Sequence, residues 1–333
     1  MKLASRGQRV AMALVGAVGL GWIGPGMRAA SLAALAPATE VESTEIQAQP
    51  DASQPDVSQP DASQPEIPQP EISQPASSQS APAQAAPQFT TFQDWCYAQD
   101  MLSPEAQHTV AVLLEELRTD DCVEANRRAS LLTLLNLTGR ELSDLSPLST
   151  FPLLAELVLH DNQISDLQPL AKLPNLSRLY LSSNQITDVR PLASLEKLRF
   201  LVLIDNEIAD LQGLGAITSL KELYLSDNQV ADLSELATLT NLEKLYLTRN
   251  QIVDVSPLSN LTSLRVLDLS SNQIRGVGSL AALASLEQLN LNRNQVSDVA
   301  PLRSLSGLQQ LYLYNNPVRN FACPSTNGAI CFI

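Results

Sequence analysis

The sequence has few of the residues on which most enzymes and metal sites depend. Only 2 His and 4 Cys occur among its 333 residues, and neither His108 nor His160 stands in a recognisable catalytic motif. There is no HExxH, no GxSxG, no phosphate-binding loop and no dinucleotide-binding glycine pattern. A catalytic cysteine would need a histidine beside it, and the sequence places none there. We therefore expect no enzyme, no cofactor and no metal site.

Basic residues and apolar runs are also scarce. The 21 Lys and Arg are outnumbered by 35 Asp and Glu, a net charge of −14, which disfavours nucleic acid and anionic membrane surfaces as partners. The one long apolar run, 10–23, follows three basic residues and precedes small residues, the pattern of a secretory signal peptide. We predict a signal peptide over 1–33 and no transmembrane segment after its cleavage. An uncleaved N-terminal anchor is the alternative.

Residues 34–90 lack the apolar residues that a core requires. Five tandem pentapeptides, DASQP, DVSQP, DASQP, EIPQP and EISQP, run from Asp51 to Pro75. Regular proline favours extended polyproline II, and the recurring acids repel one another. We predict a disordered, acidic and semi-stiff linker. Recognition as a PxxP ligand is less favoured, because the segment has no basic residues.

Leucine, by contrast, is abundant and recurs every 22 residues without insertion or deletion. Units that read LxxLxLxxNxIxDLxPLxxLxx start at Leu132, Leu154, Leu176, Leu198, Leu220, Leu242, Leu264, Leu286 and Leu308. The leucines at the first, fourth and sixth positions are expected to point inward around a short parallel strand. One unit cannot bury this apolar face alone, so the units must stack and the two ends need caps.

Two polar columns accompany the leucines. The ninth position of successive units holds Asn162, Asn184, Asn206, Asn228, Asn250, Asn272, Asn294 and Asn316, whose amides we expect to bond the backbone where the chain leaves the strand. The thirteenth position is mostly Asp, and in five units Pro follows three residues later. Calcium binding by these carboxylates is possible in principle, but one Asp per unit suits turn capping better. The prolines predict short 3₁₀ or helical turns.

The four cysteines lie on the two flanks of the repeats, Cys96 and Cys122 before them and Cys323 and Cys331 after them. The first two bracket a predicted helix with Ser103 as N-cap and Pro104 at its first position. Four cysteines allow three disulfide connectivities. Pairing within each flank is favoured, because each bond would then close one end of the stack. A shared zinc site would require the two ends to meet.

Residues 132–318 resemble the 22-residue class of leucine-rich repeats found in bacterial internalins and in a nuclear regulatory subunit of a serine/threonine protein phosphatase. The resemblance implies an α/β solenoid: a curved, right-handed stack of nine units with a parallel sheet on the concave face and 3₁₀ or turn segments on the convex face. It also implies ligand binding on the concave face. A helical N-terminal cap is expected over 91–131 and a C-terminal cap over 319–333.

Two departures limit what the resemblance implies. Neither a sortase-type anchoring motif nor an immunoglobulin-like segment follows the repeats, so the internalin mode of wall attachment and host invasion is not implied. The cysteine-bearing caps are more similar to those of extracellular leucine-rich repeat proteins. The export signal argues against a phosphatase regulator.

Binding is expected at the strand positions that alternate with the buried leucines, because these face solvent. We predict an apolar patch formed by Tyr180, Phe200, Val202, Ile204, Tyr224 and Tyr246, surrounded by Arg178, Glu222, Lys244, Asp227 and Arg249. A patch of this kind is typical of a protein-binding hot spot. The alternative is that tyrosine and β-branched residues occur there because they favour strands and pack on one another.

These features together predict an exported, monomeric binding module, secreted or held in the periplasm or cell envelope. It would recognise a protein or peptide, or else a cell-surface polymer, through the concave face. The alternative function is structural, a spacer of the cell envelope with no discrete ligand. The sequence identifies neither the ligand nor the pathway.

Overall fold

The computed structural model describes residues 89–319, 323 and 330–333. The chain divides into the units Met1–Ser78 and Gln79–Ile333, and every described residue lies in the second. The predicted signal peptide and nearly all of the predicted linker therefore lie outside the described residues.

Within those residues the chain forms three α-helices, ten β-strands and a series of 3₁₀ turns. The helices are α1 (Phe92–Tyr97), α2 (Pro104–Leu117) and α3 (Cys122–Ala129). The strands are β1 (Leu134–Asn136), β2 (Glu156–Val158), β3 (Arg178–Tyr180), β4 (Phe200–Val202), β5 (Glu222–Tyr224), β6 (Lys244–Tyr246), β7 (Val266–Asp268), β8 (Gln288–Asn290), β9 (Gln310–Tyr312) and β10 (Ile330–Phe332).

The ten strands form one parallel sheet in sequence order. Each strand from β1 to β9 covers positions three to five of its unit, and residues 22 apart are paired, for example Leu201 with Leu223. The middle leucine of each of these strands is buried, as are the leucines at positions one and six of the inner units. The predicted curved leucine-rich repeat solenoid is confirmed.

The opposite side of the stack is built from 3₁₀ turns, as the proline pattern predicts. Turns such as Gln168–Lys172 and Ser256–Asn260 carry the unit's proline in their first two positions. In most units the Asp two residues before the turn caps it: Asp166 Oδ1, for example, accepts the N–H of Gln168 at 2.8 Å. The turn Gly278–Ala282 is preceded by Gly276 instead. Capping, the interpretation favoured over calcium binding, is therefore confirmed.

The asparagine column works as a hydrogen-bonded ladder between units. The amide of Asn228 donates to the carbonyls of Leu203, Leu225 and Ser226 at 2.8–3.2 Å. Its carbonyl oxygen accepts the N–H of Ile208 from the preceding unit at 3.0 Å. Each inner asparagine repeats this pattern, so one side chain satisfies backbone groups that the turn would otherwise bury without partners.

Both flanking disulfides have the favoured connectivity, Cys96 with Cys122 and Cys323 with Cys331. In the N-terminal cap, α2 begins at Pro104 after the Ser103 N-cap, as predicted. Helices α1 and α3, which carry the bonded cysteines, were not predicted, because each is too short to show a clear apolar period.

The C-terminal flank contains a strand that the repeat pattern did not predict. β10 pairs with β9 and places Cys331 opposite Leu311. Residues paired across these two strands are 20 apart instead of 22, and cysteine occupies the leucine position. The strand therefore falls outside a strict leucine period although it continues the sheet.

Candidate binding site on the concave face

Five ring side chains form a continuous line across β2 to β6, here called the aromatic row. Its members are His160, Tyr180, Phe200, Tyr224 and Tyr246, with successive ring centroids 5.5, 5.0, 5.3 and 4.7 Å apart. The four true aromatics belong to the predicted patch, and the structure brings them into contact. All five side chains are half-buried, so each retains surface that a partner could cover.

Val202 does not fit the predicted exposed patch, because it is only 7% exposed. It pairs with Tyr180 on one side and Tyr224 on the other. The ring of Phe200, two residues earlier on the same strand, contacts both tyrosine rings. Val202 therefore lies among larger side chains and offers a partner little surface.

Ile204 occupies the seventh position of its unit, as His160 does, and is half-buried like the rings of the row. Its place in the patch stays a prediction.

Charged groups hold the rings of the row in place. Tyr224 donates its hydroxyl hydrogen to Glu222 Oε2 at 2.8 Å, and Lys244 Nζ lies 3.2 Å from the other oxygen of that carboxylate. Burial, and then the bond to Glu222, raise the pKa of the Tyr224 hydroxyl. Arg178 lies over the Phe200 ring, 5.6 Å from its centroid. Three of the predicted charged neighbours thus contact the rings or their partners.

The other two predicted charged residues, Asp227 and Arg249, pair with each other. The guanidinium donates from Nε and Nη2 to the two carboxylate oxygens. Both residues occupy the eighth position of their units and adopt positive φ, 58° and 54°. Arginine rarely takes this conformation, so the turn imposes it. Gly139 at the same position of the first unit was the available sequence signal.

His160 stands at the start of the row, with its ring against Tyr180. Its Nδ1 accepts the backbone N–H of Ser182 in the next unit at 3.0 Å. Burial lowers the pKa of this imidazole, and the nearby charge of Asp161 opposes that shift. His160 was not among the residues of the predicted patch, although strand alternation places its column on the concave face.

Beyond Tyr246 the floor of the concave face becomes polar. Asp268 accepts bonds from the hydroxyls of Thr248 and Ser270, the N–H of Ser270 and the amide of Asn290. Asn290 and Ser270 are only 5% and 8% exposed, and Asn290 accepts the N–H of Asn292. We call Thr248, Asp268, Ser270, Asn290 and Asn292 the polar gap. The hydrogen bonds between these residues were not predicted from the sequence.

Beyond the polar gap, Tyr312 and Phe332 stack with centroids 4.6 Å apart and planes 6° apart. We call them the second aromatic pair. Neither belongs to the predicted patch. Phe332 could have been found only by recognising Cys331 as the central residue of a further strand.

The rings and amides of the concave face offer contact surface and hydrogen bonds. Among the residues with described positions, no group of three or more His, Cys, Asp or Glu could hold a metal ion. Within the same residues, no helix combines the length and apolarity needed to cross a bilayer. The arrangement can bind a ligand that covers the apolar rings and exchanges hydrogen bonds with the face.

Comparison with known proteins matches two models of leucine-rich repeats. One covers residues 174–216, 218–260 and 284–323, and the other covers residues 240–296. Comparison with curated proteins found no match.

Several solved structures are similar to the chain. Internalin C2 from Listeria monocytogenes is 28% identical, with a TM-score of 0.54, over 66% of this chain and 88% of that one. Internalin InlF from the same organism is 25% identical, with a TM-score of 0.34, over 66% and 84%. The leucine-rich repeat ectodomain of an Arabidopsis thaliana receptor kinase, GASSHO1/SCHENGEN3, solved with CASPARIAN STRIP INTEGRITY FACTOR 2, is 28% identical, with a TM-score of 0.49, over 55% and 24%.

Proposed function

We propose that this leucine-rich repeat protein, internalin-like in its repeats, binds a protein or peptide partner through the aromatic row of its concave face. Leucine-rich repeat domains are protein-interaction modules. The observation that carries the proposal is the unbroken contact of ring side chains from β2 to β6. Aromatic side chains fixed before binding lose little conformational entropy, which is why they dominate hot spots.

The charged residues beside the row support specific recognition. Glu222 is paired with Lys244 and bonded to Tyr224 of the row, and Asp227 and Arg249 form a second pair. Such pairs give orientation and selectivity more than affinity. A partner that covers the rings would have to match them.

Export completes the proposal. Two disulfides in the caps fit an oxidising compartment, and the similarity to internalin C2 suggests an extracellular protein. With the predicted signal peptide, these features support a protein that is secreted or held in the periplasm or cell envelope. Binding would then take place outside the cytoplasm.

The test is affinity capture from envelope and supernatant fractions of the source organism. The full chain, with both disulfides formed, is compared with Tyr224→Ala/Tyr246→Ala. The matched control is Tyr97→Ala/Tyr314→Ala, since these two tyrosines are 67% and 56% exposed outside the row. A protein retained by the parent and the control, but lost by the row variant, would support the proposal.

Other results would count against it. Equal capture by all three chains would move binding away from the row. If no partner is retained although all three chains are folded, a spacer function in the envelope is favoured. Retention of a polysaccharide in place of a protein would replace the proposed ligand class.

A further inference from the structure

The concave face contains two aromatic clusters, whereas the predicted patch includes only the first of them. Along the fifth strand position, Tyr224 and Tyr246 are followed by Asp268 and Asn290, and the rings resume at Tyr312. The second aromatic pair lies at the far side of the polar gap. The face therefore alternates from apolar to polar to apolar along the stack.

The distance between the clusters follows from the sheet. Tyr246 lies on β6 and Tyr312 on β9, three strand spacings apart, or about 14 Å at about 4.8 Å per strand. An extended chain advances about 3.3 Å per residue. Side chains four or five residues apart on such a chain could reach both clusters.

The polar gap is suited to an uncharged main chain. All four donors around Asp268 converge on its carboxylate, so the negative charge is stabilised without a cation. Half-buried amides lie beside it: Gln288 on β8, Gln310 on β9, and Asn292 just beyond β8. Asn and Gln side chains carry both donors and acceptors, which match the peptide groups of a main chain.

Ring stacking leaves edges that suit apolar side chains. Tyr224 and Tyr246 are parallel within 6°, with centroids 4.7 Å apart, and the centroids of the second aromatic pair are 4.6 Å apart with planes 6° apart. In each stack one face of either ring is covered by its partner, and apolar side chains can pack against the ring edges.

We propose that the concave face binds an extended polypeptide segment that crosses the strands and places two large apolar side chains, four or five residues apart, on the two clusters. The first packs beside Tyr246, and the second packs on the second aromatic pair. The uncharged residues between them lie over the polar gap. This inference rests on the proposed function and specifies its ligand.

The test uses labelled synthetic peptides in which two tryptophans are separated by zero to eight alternating Ser and Asn residues. Fluorescence anisotropy with the full chain should give tightest binding when the tryptophans are four or five positions apart. We expect an advantage of about tenfold over shorter and longer spacings, which corresponds to about 1.4 kcal/mol. Peptides with one tryptophan should bind as weakly as the peptides with shorter or longer spacings.

Variants of the second pair make the test specific. Tyr312→Ala should abolish the spacing preference, Tyr312→Phe should preserve it, and Tyr314→Ala is the matched control on the same segment. Thermal unfolding verifies that each variant is folded. Spacing dependence that survives Tyr312→Ala would overturn the inference.

The remaining outcomes separate this inference from the proposed function. Binding that depends on Tyr224 and Tyr246, but not on spacing or Tyr312, overturns the inference and leaves the proposed function standing. Absence of binding by every peptide at about 1 mM also overturns the inference, while the capture experiment still decides the proposed function. Tyr312-dependent binding of oligosaccharides alone would overturn both assignments of a polypeptide ligand.

Discussion

The two sides of the same short strands differ in what determines their residues. The inward side repeats one residue type: Leu179, Leu201, Leu223 and Leu245 are all fully buried. On the outward side, the next residues along these strands are Tyr180, Val202, Tyr224 and Tyr246, and beyond them Asp268. Packing against neighbouring units restricts the inward position, while solvent and ligand leave the outward position free to vary.

This difference explains why the repeat identifies the fold and leaves the ligand open. Any protein with the same leucine and asparagine columns would form a similar stack. The outward positions could change from aromatic to polar within one sheet, as they do between β6 and β7, without disturbing the frame. Specificity must therefore be sought where the repeat is least regular.

The largest expected effect comes from replacing two adjacent residues of β5, one on each side of the strand, with alanine in separate variants. Leu223→Ala should lower the free energy of unfolding by about 2–5 kcal/mol, because it leaves a cavity in a closed core. Tyr224→Ala should cost about 1 kcal/mol, because its ring is half-buried and packs against the rings of Phe200 and Tyr246 at the surface of the sheet. Urea unfolding of both variants measures the contrast. Equal losses would mean that the row belongs to the structural frame.

The second test concerns the caps. Replacing Cys96 and Cys122 with serine opens a link across a sequence separation of 26, worth about 3.5 kcal/mol in chain entropy. The matched pair, Cys323 and Cys331, has a separation of 8 and should cost about 2.5 kcal/mol by the same estimate. Chemical unfolding of the two double variants gives the order. A larger loss at the C-terminal cap would contradict the loop-length argument.

The third test removes one rung of the ladder between units. Asn228→Ala deletes three donated bonds and one accepted bond, and the partners left behind are backbone groups in the interior. We expect a loss of about 2 kcal/mol. Asn316→Ala at the end of the column is the matched control, since it is less buried and should cost less. A loss at Asn228 below that at Asn316 would contradict the ladder as described.

The period alone was sufficient to predict the strands, the 3₁₀ turns and the asparagine bonds, because each depends on contacts with identical neighbours. Departures from the period were harder. β10 was missed because Cys331 replaces leucine and the spacing shortens to 20 residues.

Within the site, the ring residues could be chosen from strand alternation, yet Val202 was misassigned. It is paired with Tyr180 and Tyr224 on the neighbouring strands, and both of these rings also contact Phe200, which lies at a different position of the same unit. The polar gap was missed for a similar reason, since Asp268 bonds not only Asn290 in its own column but also Thr248 and Ser270, which occupy the seventh position of their units. Periodicity predicts which face a side chain occupies, whereas its contacts depend on residue size and on neighbours from several columns.

The smallest expected effect is a pH dependence of stability due to His160. Its ring belongs to the aromatic row, and its Nδ1 bonds the backbone of the next unit. Burial holds its pKa below the usual value of 6.5 in the folded chain, and neutral Nδ1 accepts the N–H of Ser182. Above pH 6.5 both folded and unfolded chains hold a neutral ring, so its contribution to stability is complete. As the pH falls below 6.5, the unfolded chain takes up the proton first, and stability decreases until the folded ring is also protonated.

Between pH 7.5 and 5.5 the melting temperature should therefore fall by about 1–3 °C more for the parent chain than for His160→Gln. His108→Gln is the matched control, because His108 lies on α2 and bonds the Arg140 carbonyl outside the row. A parent and a His160→Gln chain with the same pH slope would show that folding does not shift the pKa of His160. In that case His160 would be only a ring at the end of the row, without a role in joining the second and third units.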